Sequence, residues 1–375
     1  MERFVDKKDV KFIESILDGM QDWVRVIDRD DNIIYANRAM KEEFGEKTIG
    51  KKCFELLGQS KPCSNCISKR AAKIHHTFQR EEKINGRIYS VRSSPIVNKD
   101  GKVEACVEVL RDITQEKLME EKLRQQYNEM KHDLQIARMM QYNLLPGAGK
   151  LSNNRVEFTY TYIPCEAIGG DFFDIYEIDD SHVGVYVADV SGHGVPASML
   201  TIFFRQAMNK SLLSPSKALK ELFLKFNHVK FNEEFYITMF YAIIDTEHME
   251  ITYANAGHHA LPMLITDGQL EILNAVGIPI SNWTDNVEYE ESKQKLNPGD
   301  RMIFYTDGVI EAANEKGERY GDVRFKEFIL NHWAKHIEIF NTKMVEDIYH
   351  FKSQGKAQIS ELLDDLTILI IDMKN

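Results

Sequence analysis

Ala188-Asp189-Val190-Ser191-Gly192-His193-Gly194 closes a strand-like run, His182–Asp189, and stands directly before a helix opened by Pro196. A carboxylate at a strand end, beside glycines that let backbone approach closely, suits an oxygen-ligated cation. Three further clusters share that placement: Gly169-Gly170-Asp171-Phe172-Phe173-Asp174, Phe304-Tyr305-Thr306-Asp307-Gly308-Val309 and Asp364-Asp365-Leu366-Thr367. A single Asp-Gly pair is usually a turn. Four such clusters in one half of the chain point instead to a carboxylate-rich metal site. No Cys or paired His stands at metal spacing there, so the expected ion is Mg²⁺ or Mn²⁺ rather than Zn²⁺. Spacing alone names no reaction.

Working outward, apolar or alternating runs surround these clusters: Val156–Tyr162, Phe235–Asp245, Met249–Asn255, Arg301–Thr306 and Leu366–Asp372. Helical stretches lie between them, at Pro196–Leu213, Ser216–Asn232, Arg324–Lys335 and Lys343–Gln354. The pattern predicts layered sheets flanked by helices over residues 151–375. Upstream, residues 113–146 read as a charged helix stopped by Pro146. Leu123, Tyr127, Met130, Leu134, Ala137, Gln141 and Leu144 alternate spacings of four and three. That spacing fits a dimeric coiled-coil seam, with Gln141 fixing register, or an amphipathic helix lying on its own domain. Residues 12–112 show short strands, including Trp23–Ile27, Asn32–Tyr35, Arg87–Val91 and Val103–Leu110, separated by Asp/Asn turns. They predict a small α+β domain.

A chain of 375 residues with 43% hydrophobic content can bury two cores. Its 47 Lys and Arg against 58 Asp and Glu give a net charge of −11. That argues against nucleic acid or an anionic membrane as partner. No stretch approaches the roughly 18 uncharged apolar residues of a membrane helix, and the charged start MERFVDKKDVKF lacks a signal-peptide core. Five cysteines form no disulfide framework in a chain this size. The expectation is a soluble, cytoplasmic protein. Cys53, Cys63 and Cys66, the last two a Cys-x-x-Cys, leave three readings open. They could be metal thiols with His75 or His76 as a fourth ligand, a redox sensor, or partly buried residues without such a role.

Taken in order, Gly169–Asp174, Ala188–Gly194, Asn255-Ala256-Gly257-His258, Tyr305–Gly308 and Asp364–Thr367 resemble the motifs of the PPM-type metal-dependent protein phosphatases, in their SpoIIE/RsbU branch. The resemblance covers residues 134 to 372. It implies a β-sandwich flanked by helices that hydrolyses phosphoserine or phosphothreonine in a partner protein with two Mn²⁺ or Mg²⁺ ions. No phosphoenzyme is implied. Asp189 would bridge both ions with the carbonyl of Val190. Asp307 and Asp364 would complete one site and Asp171 the other. Asp174 and Asp365 would hold waters on the ions or be solvated acids, with Asp364 favoured over Asp365 as ligand. His193 would protonate the leaving serine oxygen or shape the Gly192–Gly194 turn, and Asn255 and His258 would brace the loops. A phosphorylated STAS-type anti-anti-sigma protein is the implied substrate.

Residues 12–112, through Val26–Asn37 and Val109–Thr114, resemble a PAS sensor domain. Its ligand is unspecified, and a homodimer through it and the 113–146 helix is implied. Two rivals were weighed. A phosphatase-fold scaffold without activity is disfavoured because no proposed metal carboxylate is missing. A sensor kinase is disfavoured because no nucleotide-binding domain follows Lys131-His132-Asp133.

Overall fold

Alternation in Trp23–Ile27 becomes strand β1 (Trp23–Asp28), which follows helix α1 (Lys7–Asp18) in a computed structural model describing residues 7–152, 154–229, 231, 234–353 and 362–374. The chain divides into two units, Met1–Met130 and Lys131–Asn375. In the first, β2 (Ile33–Ala36), α2 (Arg38–Phe44), α3 (Ile67–Ile74), β3 (Phe78–Ile84), β4 (Arg87–Val97) and β5 (Val103–Asp112) follow β1. The strands form one antiparallel sheet in the order β2-β1-β5-β4-β3. Asn37 caps α2 by accepting from the Met40 N–H at 3.2 Å, and its side chain also accepts from the Val24 N–H at 3.0 Å. Trp23, Ile27, Met40, Tyr89 and Leu110 fill the core. β3 escaped the sequence reading because Gln79, Glu81 and Lys83 take its exposed positions, as expected of an edge strand.

Arg25 also faces inward, because it shares a strand face with Trp23 and Ile27. It is opposite Glu108 in the register of β1 and β5 and pairs with it at 2.7 Å, both residues being buried. The Ser68 hydroxyl donates to the same carboxylate. Cys53 is buried too, and burial pushes its thiol up to about 12, so it is protonated. Cys63 and Cys66 are partly buried. Among the described residues these three, with or without His75 or His76, form no metal-holding group.

Helix α4 (Thr114–Leu144) gives its first part to one unit and its last to the other. In the second unit follow β6 (Gly149–Lys150), β7 (Val156–Ile163), β8 (Asp171–Glu177), β9 (His182–Val190), α5 (Gly194–Ala207), α6 (Pro215–Val229), β10 (Ile237–Asp245) and β11 (Glu250–Ala256). Then come β12 (Met263–Thr266), β13 (Gln269–Ile272), β14 (Ser292–Lys295), β15 (Arg301–Tyr305), α7 (Gly321–His332), α8 (Ile337–Ser353) and β16 (Leu366–Met373). One sheet has the order β14-β11-β10-β9-β8, the other β13-β12-β15-β16-β7-β6. Phe173, Val187, Phe240, Phe304 and Leu369 fill the layer between the sheets. The outer faces carry α5 and α6 on one side and α7 and α8 on the other. Central strands are therefore covered on both faces, which is why β10 and β16 read as near-continuous apolar runs. The α+β architecture with a helix-flanked sandwich is as expected. Among the described residues no helix is long and apolar enough to cross a membrane.

The coiled-coil reading of Gln141 needs correction. Leu123, Tyr127 and Met130 are exposed, but Gln141 is buried. Its amide donates to the Gly169 carbonyl at 2.9 Å and accepts from the Gly169 N–H at 3.2 Å. A polar side chain among apolar helix positions here satisfies a buried backbone rather than a partner helix.

Candidate active site

Period-two alternation places Asp171, Phe173 and Ile175 on the inner face of β8. Asp171 is the first residue of that strand, not its end, and lies directly opposite Asp189 of β9. From the other sheet, β15 delivers Thr306 and Asp307, and the turn before β16 delivers Asp364 and Asp365. Thr306 and Thr367 each donate a hydroxyl to Asp171 Oδ2 at 2.6 Å, tying the two sheets together at this end.

The paired acids divide their work. Asp365 is buried and spends both oxygens on backbone. Oδ1 accepts from the Cys165 N–H at 2.7 Å, and Oδ2 from Gly170 at 2.6 Å and Asp171 at 3.2 Å. Asp364 is more open and accepts only from the Asp365 N–H, at 2.8 Å, among the described bonds. Gly169 and Gly170 are required by space: a Cβ on Gly169 would lie 2.5 Å from Asp365 Oδ2, and one on Gly170 3.0 Å from the Val190 carbonyl oxygen.

Acidic charge accumulates here. Burial, then the Asp189 and Asp365 carboxylates, pushes Asp171 well above the usual range. Asp189 is pushed well up by burial and by Asp307, Asp364 and Asp365. Burial and Glu311 raise Asp307; burial, with Asp307, Asp365 and Glu311 adding repulsion, lifts Asp364 to about 6. As placed, no three of the described acids converge on a single point. The oxygen-only donor set nonetheless fits a hard divalent cation, which would relieve the repulsion.

Asp174 does not join them. It faces the helix side of β8, where Lys210 pairs with it at 2.5 Å and Arg205 at 3.5 Å. His193 stands at the start of α5 without a side-chain capping bond and is largely exposed, its Nδ1 2.8 Å from Glu166 Oε1. His258 is buried between the Tyr305 carbonyl, which accepts from Nε2 at 2.9 Å, and the Thr238 hydroxyl, 3.1 Å from Nδ1. Burial lowers its pKa to about 4, so the ring is neutral. Asn255 accepts from the His258 N–H at 2.7 Å and donates to the carbonyls of His258 and Ala275. Both residues brace the loops.

Residues 179–374, more than half the chain, match the family model of Stage II sporulation protein E (SpoIIE). The chain belongs to the SpoIIE family. Residues 17–118 match the PAS fold model. The SpoIIE-family chain is 26% identical over 250 residues to Phosphoserine phosphatase RsbP of Bacillus subtilis, covering 65% of this chain and 58% of that protein. It is 28% identical over 255 residues to Phosphoserine phosphatase RsbU of the same organism, covering 66% and 71%. It thus spans less than two thirds of the RsbP length. The SiaA-PP2C domain of Pseudomonas aeruginosa shares the fold, with a TM-score of 0.57 at 20% identity, over 66% of this chain and 98% of that one.

Sequence reading missed Glu166, the Thr306 and Thr367 clamp, and the role of Gln141. Only the last left a local signal, a lone polar residue on the apolar face three positions before Leu144. In this SpoIIE-family site the repulsion is testable without metal. The folded pKa of Asp364, about 6, exceeds its ordinary 3.8, so its contribution to stability is present below 3.8 and lost as pH rises through 6. In EDTA, Asp364→Asn should therefore melt above wild type at pH 7.5, with the gap narrowing as pH falls from 6 and closing only below about 3.8. A pH-independent gap in thermal denaturation would contradict this.

Proposed function

We propose that this chain is a PAS-bearing, metal-dependent phosphatase of phosphoserine or phosphothreonine in a protein substrate. The observation that carries the proposal is the cluster of desolvated, mutually repelling carboxylates from both sheets, with burial and neighbouring acids raising all four pKa values. Asp171, Asp189, Asp307, Asp364 and the Val190 carbonyl would hold two Mn²⁺ or Mg²⁺ ions. When bound, such ions supply an activated water and neutralise charge on the transferring phosphoryl group. The protein's own groups do the rest. Asp365 and the two threonines hold Asp171 and its loop in place. His193, with Nδ1 committed to Glu166, would exchange a proton with the leaving oxygen through Nε2.

Turnover of p-nitrophenyl phosphate by the full chain with Mn²⁺ tests the reading, and its absence would favour a non-catalytic scaffold. The finer substrate, a phosphorylated STAS-type protein, is tested by assaying phosphorylated proteins encoded near this gene. The proposed homodimer through the PAS domain and α4 is tested by light scattering.

For regulation, we propose that signals in the PAS domain displace α4 and thereby the Asp171 loop. Gln141 supports this route, because it holds Gly169 two residues before Asp171. Two buried hydrogen bonds worth about 0.5–1.5 kcal/mol each predict that Gln141→Ala weakens Mn²⁺ binding by roughly 5- to 150-fold. Calorimetric titration checks this, and unchanged affinity would count against the route.

A further inference from the structure

A pocket of about 270 Å³ opens at the carboxylates, and its lining includes Asp189 and Asp307 together with Tyr236, Pro279 and Trp283. The Tyr236 and Trp283 rings stand 5.1 Å apart, and Trp283 is 59% exposed. Pro279 and Trp283 belong to the 273–291 loop, which also exposes Val276 and Ile278, while Tyr236 stands just before β10. Single exposed apolar residues are ordinary. Three on one loop, in a chain of net charge −11 and beside the acid cluster, call for an occupant.

The loop is pinned before anything binds. Ile280 and Ile237 exchange both backbone hydrogen bonds at 2.9 Å. Gly277 packs so tightly that a Cβ there would lie 1.7 Å from the Asn255 carbonyl oxygen, and Gly257, at φ +73°, presses on Pro279. A preformed aromatic wall binds a side chain without first paying ordering entropy.

We infer that this wall receives a bulky apolar side chain adjacent to the phosphoserine of the protein substrate, making Trp283 a specificity-determining residue; the inference rests on the phosphatase reading above. Neighbouring residues of an extended segment are about 3.8 Å apart at Cα. Ions held by Asp189 and Asp307 would seat the phosphate in this pocket, whose lining also carries Tyr236, Pro279 and Trp283, so an adjacent substrate residue comes within reach of them. An aliphatic neighbour buries area against these three residues.

The test uses the full chain with Mn²⁺ and phosphoserine peptides carrying Leu, Arg or Gly immediately before or after the phosphoserine, with p-nitrophenyl phosphate as a small comparator. Wild type should favour one Leu peptide over its Gly counterpart about tenfold in kcat/KM, mainly through KM, the size of a moderate hot spot. Trp283→Ala should bring that ratio to within about twofold, and Trp283→Phe should keep most of it. Absence of a Leu preference in wild type, a preference for Arg, or a Leu preference retained by Trp283→Ala would overturn the inference. If wild type hydrolyses neither the peptides nor p-nitrophenyl phosphate, the phosphatase reading itself fails and this inference falls with it.

Discussion

Asp189→Asn is expected to lower Mn²⁺-dependent turnover of p-nitrophenyl phosphate by about a thousandfold or more, the equivalent of roughly 4 kcal/mol of lost transition-state stabilisation. Asp189 lies opposite Asp171 in one sheet and is coupled electrostatically to Asp307 and Asp364 from the other. The variant should fold, because it removes a charge whose burial and neighbours already oppose ionisation. Steady-state kinetics together with thermal denaturation check both halves of the expectation. Undiminished turnover in a folded variant would remove Asp189 from the proposed ligand set, and Asp307→Asn offers the same test from the opposite sheet.

A second large effect is expected from a methyl group. A Cβ on Gly308 would lie 1.9 Å from the Asp365 carbonyl oxygen and 2.9 Å from its carbon. No rotamer can relieve a clash between two backbones, so the strand end carrying Asp307 and the turn carrying Asp364 must separate. That movement draws Asp365 away from the N–H groups of Cys165, Gly170 and Asp171. Gly308→Ala should cost about 2–4 kcal/mol from overpacking and lost hydrogen bonds to a charged group. It should also abolish measurable Mn²⁺ binding at concentrations that saturate wild type. Gly147→Ala is the control, since nothing lies within 4 Å of a Cβ there. Urea denaturation and metal titration of the two variants make the comparison, and equal behaviour would refute the spatial argument.

The sandwich and its acid clusters were legible because their signals are local. Long apolar runs mark strands covered on both faces, and an acid beside glycine marks a strand terminus, the end of β9 and β15 but the start of β8. What escaped was set by distance or by phase. Asp364 and Asp365 are indistinguishable side by side in a sequence. They differ because one reaches backbone some 195 to 200 positions away and the other does not. Asp174 was grouped with Asp171 as part of one motif, yet three residues along a strand is an odd step, which sends the two side chains to opposite faces. Recognition of β8 as a strand starting at Asp171 would have separated them. Gln141 fitted a heptad only because a helix face looks the same whether it meets another helix or a loop.

β16 runs between β15 and β7 in the middle of its sheet and carries Thr367, with Asp364 and Asp365 just before it. Without it β7 and β15 share no neighbouring strand, and the acid cluster lacks Asp364, Asp365 and Thr367, so a variant that lost β16 would lose the middle of this sheet and the cluster together.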